Sequence, residues 1–170
     1  MKIGFLADTH IRKNDGSDLP DAVLKAFKGV DLIVHLGDIG KKVILGPLGE
    51  IAPVWVQSED RKGYVPASGG PIVKSIDGCG LTFNLAQPDK KITVGDTIAF
   101  DGDMAKLLQK RFKDDVRVVA FAATHDPYNA THAGVLFVNP GSPTLPMTAP
   151  GTVAVLDLGP KPKAKIVKLP

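Results

Sequence analysis

Asp8 and His10 stand two residues apart, directly after the apolar run 2–7. In extended chain that spacing projects a carboxylate and an imidazole to the same side. The pattern recurs in kind: Gly37-Asp38 follows the apolar stretch 31–36, and Thr124-His125 follows 116–122. Short apolar runs of this type suit strands buried on both faces. In open α/β sheets, ligands gather beyond the carboxyl ends of such strands. Two Asp and two His offer a mixed oxygen and nitrogen shell suited to Mn, Fe, Zn, Ni, Mg or a similar divalent ion. Each residue alone has a plainer reading. Asp8 could begin a turn or cap a helix, Gly37-Asp38 could be simple turn chemistry, and His125-Asp126-Pro127 could be a surface loop. Their joint position after three strands carries the metal reading.

The elements that must hold these residues alternate in the first half of the chain. Asp18 and Pro20 open a helical pattern with Leu24, Ala26 and Phe27 on its apolar face. A strand over 31–36, a short helix over 43–48 and a third strand over 52–56 follow. Strands alternating with helices imply parallel pairing through right-handed crossovers. After Asp60 the residues Gly63, Pro66, Gly69, Gly70 and Pro71 mark a loop. β-like stretches come next at 72–76, 81–85 and 92–100, with Asp77-Gly78 and Gly95-Asp96 as turns. A helix fits 104–112 with Asp103 as its N-cap. Strands are then expected at 116–122, 134–138, 153–158 and 164–168. The chain thus begins as α/β and ends as mostly antiparallel strands, without repeat, low-complexity tract or linker. One domain over residues 1–170 is expected.

With 44% hydrophobic and 23% charged residues, the 170-residue chain has an ordinary globular balance. No apolar run approaches the roughly 20 residues of a bilayer span, and Asp8 and His10 cut the opening run too short for a signal peptide. A cytoplasmic protein without a membrane partner is expected. Cys79, the single cysteine, excludes an internal disulfide and a multi-cysteine metal site. Gly78 and Gly80 place it in a turn, as an inert thiol. The net charge of +3 is mildly basic, with Lys161, Lys163, Lys165 and Lys168 near the end of the chain. Alternating lysines there fit protection of a sheet edge. Aromatic residues are not interleaved with them, which disfavours a nucleic-acid partner. His35, inside an apolar strand, reads as a satisfied core histidine and His132 as part of a loop. Neither a P-loop nor a dinucleotide fingerprint is present.

The motif order Asp8-Thr9-His10, Gly37-Asp38-Ile39, Gln57-Ser58-Glu59-Asp60, Asp101-Gly102-Asp103, Ala122-Ala123-Thr124-His125 and Asn139-Pro140-Gly141-Ser142 resembles the calcineurin-like metallophosphoesterases, the small YfcE-type phosphodiesterases best. The resemblance covers nearly the whole chain. It implies a four-layer αββα sandwich of two mixed sheets. It also implies hydrolysis of a phosphate-ester small molecule or nucleotide, a phosphodiester above all, by metal-activated water with manganese or a similar ion. In the family's pattern one metal takes the positions of Asp8, His10, Asp38 and His125, which are all intact and would be the catalytic set. The second shares Asp38 and takes the positions of Ser58, Asp101 and Ala123. Ala123 has no side-chain donor and Ser58 is a poor substitute for an amide oxygen, so of these only Asp101 keeps a good donor. Glu59, Asp60 or Asp101 would have to rebuild that half. The resemblance therefore implies a hydrolase of weakened activity, or else a non-catalytic relative serving as a binding scaffold, as the retromer subunit of this fold does.

Overall fold

The computed structural model describes residues 1–83, 111–112 and 116–170. Strands β1 (Lys2–Leu6), β2 (Leu32–His35) and β3 (Val54–Gln57) pair in parallel. β10 (Thr152–Asp157) lies antiparallel on the other side of β1, and β11 (Lys163–Lys168) forms the edge beyond it. A short β4 (Tyr64–Pro66) closes the opposite edge against β3. The second sheet contains β5 (Ser75–Ile76), β6 (Cys79–Leu81), β7 (Val118–Ala120), β8 (Pro127–His132) and β9 (Val135–Pro140), in the order β5-β6-β7-β9-β8. It too is mixed: β6, β7 and β9 run parallel, and β5 and β8 antiparallel to their neighbours.

The period-two alternation of strands divides the apolar residues between layers. Ile3 and Phe5 of β1, with Val34 of β2, join Leu81, Val118, Ala120 and Val138 in the core between the sheets. Leu6 and Ile33 belong to a second core with Val23, Phe27, Ile44 and Leu48. Those partners come from helix α1 (Asp21–Ala26) and the residue after it, the 3₁₀ turn Lys42–Ile44, and helix α2 (Leu45–Gly49). Burying a side chain of this size contributes about 1.5–3 kcal/mol. Gly4 lets α1 approach: a Cβ there would sit 2.7 Å from the Phe27 ring. The outer face of the second sheet buries Val119, Phe121, Val135 and Phe137, with Phe112 and Tyr128 against them. Among the described residues, no helix is long and apolar enough to cross a membrane.

Several elements differ from the sequence reading. Residues 64–66 form a strand rather than loop, because Tyr64 is buried and its hydroxyl donates to the Leu36 carbonyl at 2.7 Å. Cys79 lies in β6 rather than in a turn. The turn is Asp77-Gly78, whose φ values of 47° and 77° are both left-handed, as a tight hairpin requires. Residues 127–132 form β8 rather than loop, so His132 ends a strand, where Tyr128 Oη lies 2.6 Å from its Nε2. The helical pattern opened by Asp18 and Pro20 becomes helix only from Asp21, and the Asp18 carboxylate accepts the Arg12 amide at 2.7 Å and closes the preceding loop. The expected strand over 92–100 and turn at Gly95-Asp96 lie outside the described residues, as do Asp101, Asp103 and most of the helix expected over 104–112.

Candidate metal centre

Three loops at one end of the sandwich build the site. Residues 8–11 follow β1, residues 37–41 follow β2, and residues 121–126 follow β7. The first two loops run side by side: Asp8 N donates to Gly37 O (2.9 Å), His10 N to Asp38 O (3.0 Å) and Ile11 N to Ile39 O (2.9 Å). Gly40 permits this approach, since a Cβ there would lie 2.4 Å from the Ile11 nitrogen.

Asp8, His10 and His125 each present a ligand atom, all within 4.8 Å of one another. Asp8 is fully buried, and His125 Nε2 lies 3.6 Å from its Oδ1. His10 Nε2 lies 3.3 Å from His125 Nε2. These residues converge for a reason other than strand alternation. β1 ends at Leu6, and Asp8 and His10 adopt φ of 51° and 43°. Asp38, Ala123 and His125 are left-handed too, at 51°, 75° and 59°. Non-glycine residues rarely enter this region, and where they do, the surrounding contacts must hold them there.

Those contacts are specific. Asp8 Oδ2 accepts the Ala123 amide at 3.1 Å, and the Asp8 carbonyl accepts the Ser142 hydroxyl at 2.7 Å. Thr144 Oγ1 donates to Thr9 O at 2.7 Å. His125 Nδ1 donates to the Leu145 carbonyl at 2.8 Å, which leaves the Nε2 lone pair facing Asp8 and His10. Asn139 is buried and ties the strand end to the loop through Thr124 Oγ1 (3.0 Å) and the Gly141 amide (2.9 Å). His35 sits beneath as a core histidine. Its Nδ1 accepts the Gly37 amide, so Nε2–H donates to Thr9 Oγ1 at 2.8 Å, and Thr9 in turn donates to Ile39 O.

The electrostatics suit a cation. Burial pushes the Asp8 carboxyl up to about 7, with Asp38 adding to the shift and the Ala123 hydrogen bond opposing it. Burial, then His125 and Arg12, hold His10 below the ordinary imidazole range, against the pull of Asp38. Asp8 Oδ1 is a buried carboxylate oxygen with no hydrogen-bond partner among the described residues. An acceptor in that position is costly unless a proton or cation meets it. The residues therefore fit a divalent ion.

The remaining expected donors are disposed differently. Asp38 is exposed at the rim, its Oδ2 4.0 Å from His10 Nε2, and does not join the three-residue cluster. Ser58 is buried, but its hydroxyl donates to Asp60 Oδ1 at 2.7 Å and accepts the Gly63 amide, a closed local turn. Glu59 and Asp60 pair with Lys42 and Lys62 at 3.3 and 3.2 Å. Asp101 lies outside the described residues. The sequence reading missed Ser142, Thr144, the Leu145 carbonyl and the Ala123 amide. The bonds of Ser142, Thr144 and the Ala123 amide to Asp8 and Thr9 span more than a hundred positions, that of Leu145 to His125 spans 20, and only the Asn139–Ser142 motif hinted at them.

A model of the calcineurin-like phosphoesterase superfamily domain matches residues 1–161. The chain belongs to that superfamily. A probable metallophosphoesterase of Methanocaldococcus jannaschii is 33% identical over 171 residues, covering 99% of this chain and 82% of that one. Another, from Methanothermobacter thermautotrophicus, is 32% identical over 173 residues, covering 99% and 92%. Among solved structures, a single mutant of Vps29 from Entamoeba histolytica superposes with a TM-score of 0.60 at 16% identity over the whole of both chains. Wild-type Vps29 of the same organism, solved in complex with zinc, gives 0.55 at 16% identity and covers 98% of each chain. At that identity the likeness establishes the fold alone. Membership in the calcineurin-like phosphoesterases gives metal-dependent phosphoester chemistry as the family activity and a divalent ion as its cofactor.

Proposed function

We propose that the chain is a single-domain, cytoplasmic phosphodiesterase that binds manganese or a similar divalent ion through Asp8, His10 and His125, with Asp38 completing the shell. The observation that carries this reading is the buried Asp8 Oδ1, without a hydrogen-bond partner among the described residues, facing two imidazole nitrogens. A bound divalent ion supplies Lewis-acid charge for a phosphoryl oxygen and lowers the pKa of water. The chain's own contribution is positioning. Asp8 is fixed at Oδ2 by the Ala123 amide and at its carbonyl by Ser142, so its free oxygen keeps one direction. His125 is held in one tautomer by Leu145 O. His10 is kept neutral by its surroundings and offers a lone pair. Preorganised donors of this type reduce the reorganisation that charge transfer onto phosphate would otherwise demand.

The direct test is manganese-dependent hydrolysis of bis(p-nitrophenyl) phosphate. Asp8→Asn and His125→Gln should each lose at least about 100-fold in kcat/KM, the scale expected on removing a ligand. Full activity in Asp8→Asn would overturn the assignment. A binding scaffold is the second reading, favoured by the closed Ser58 turn and the lysine-paired Glu59 and Asp60. Manganese binding without turnover would select it.

A further inference from the structure

Beside Asp38 lies a small cavity of about 80 Å³ whose lining includes His35, Gly37, Asp38, Ile39, Lys42 and Gln57. Two of its polar side chains are not committed to the fold. Among the described residues, the Gln57 carboxamide takes part in no hydrogen bond. Of the described residues Lys42 Nζ meets only Glu59, at 3.3 Å, and these side chains are 63% and 93% exposed. A pair so exposed is held weakly and exchanges readily for a better anion. His35, by contrast, spends both ring nitrogens on Thr9 and Gly37 and contributes only a wall. A cationic donor and a neutral amide donor therefore line one hollow next to the rim carboxylate of the metal centre. This is the half of the site where Ser58 is consumed by its own turn.

We propose that Lys42 and Gln57 form an anion subsite that engages a non-bridging phosphate oxygen of the substrate, supplying positive charge on the side where the Ser58 hydroxyl is taken up by its own turn. Lys42 acts as a mobile point charge and the Gln57 NH₂ as a directional donor. Glu59 competes for Lys42 and so tunes the subsite. The proposal rests on the phosphoesterase reading for the identity of its anion.

The test is calorimetric titration of inorganic phosphate into the manganese-loaded protein near neutral pH. Lys42→Met and Gln57→Ala should weaken phosphate binding about tenfold and about threefold, consistent with the loss of a charge-assisted and a neutral hydrogen bond. Lys42→Arg should stay within about threefold of wild type, because the charge is retained. Glu59→Gln should tighten binding about twofold by releasing Lys42. Manganese affinity without phosphate should be unchanged in all four, which separates a subsite from damage to the metal centre. Phosphate binding indifferent to Lys42 and Gln57, or no phosphate binding at millimolar concentration, would overturn the proposal. Bis(p-nitrophenyl) phosphate hydrolysis judges the underlying reading separately. Turnover with no dependence of phosphate binding on Lys42 removes the subsite alone. Lys42-dependent phosphate binding without turnover keeps the subsite and removes the hydrolase.

Discussion

His35 illustrates how a residue outside the donor set can shape the site's response to pH. Burial, and secondarily His10, push its pKa down to about 3 from the ordinary 6.5. Between those values the unfolded chain takes up a proton that the folded chain refuses, so stability falls as pH drops below 6.5. Asp8 works in the opposite sense. Raised from 3.8 to about 7, it keeps a proton in the metal-free folded state, and that contribution fades as pH rises from 3.8 through about 7. His35→Gln retains an amide donor for Thr9 without the titrating ring. The margin of wild type over this variant should shrink by up to about 1.4 kcal/mol per pH unit on acidification below 6.5. Urea melts at several pH values measure it, and a margin independent of pH would refute the buried neutral ring. Cys79 offers a second check. Burial pushes its thiol up to about 12, so alkylating reagents should label it only after denaturation. At this scale Asp8, His10 and His125 were legible, because carboxylate and imidazole after apolar runs are unusual. Their left-handed backbone was not, since it depends on hydrogen bonds from residues far along the chain.

The loop after β9 shows what an element contributes beyond its own residues. Ser142 Oγ donates to Asp8 O and accepts the Leu145 amide at 2.9 Å and the Thr144 amide at 3.3 Å. Ser142→Ala should cost about 1–3 kcal/mol, since it leaves buried partners unsatisfied. It should also lower manganese affinity about 10–100-fold, because Leu145 orients His125. Calorimetry distinguishes this from a purely structural loss, which would spare metal affinity. On β1, Gly4→Ala should destabilise by about 1–3 kcal/mol through overpacking against Phe27, and Phe27→Leu should recover part of that loss. The parallel strands of the first half were readable as apolar runs between helical patterns. β4 and β8 were not: Pro66, Asn129 and Thr131 obscure the strand signal, and these residues pair because neighbouring edges offer free backbone groups. The lysines of β11 fall on the edge of the first sheet, as the sequence suggested.

At the scale of the molecule, the two sheets are tied by Asn129 Nδ2 donating to Ala164 O at 2.8 Å and Arg117 Nη1 to Gly159 O at 2.9 Å. Manganese at 100 times its dissociation constant should raise stability by about 2.7 kcal/mol, visible as a higher melting temperature that a chelator reverses. An unchanged melting temperature would argue against binding by the folded state. The location of the three donors sets how that gain is distributed. Asp8 and His10 leave one sheet and His125 leaves the other, so an ion gripped by all three works as a rivet through the sandwich. Shearing the layers past each other would then require tearing the rivet out. Slow amide exchange in β1 and in β7 should lengthen together on loading, by a common factor, where a clamp confined to one loop would protect only its own strand.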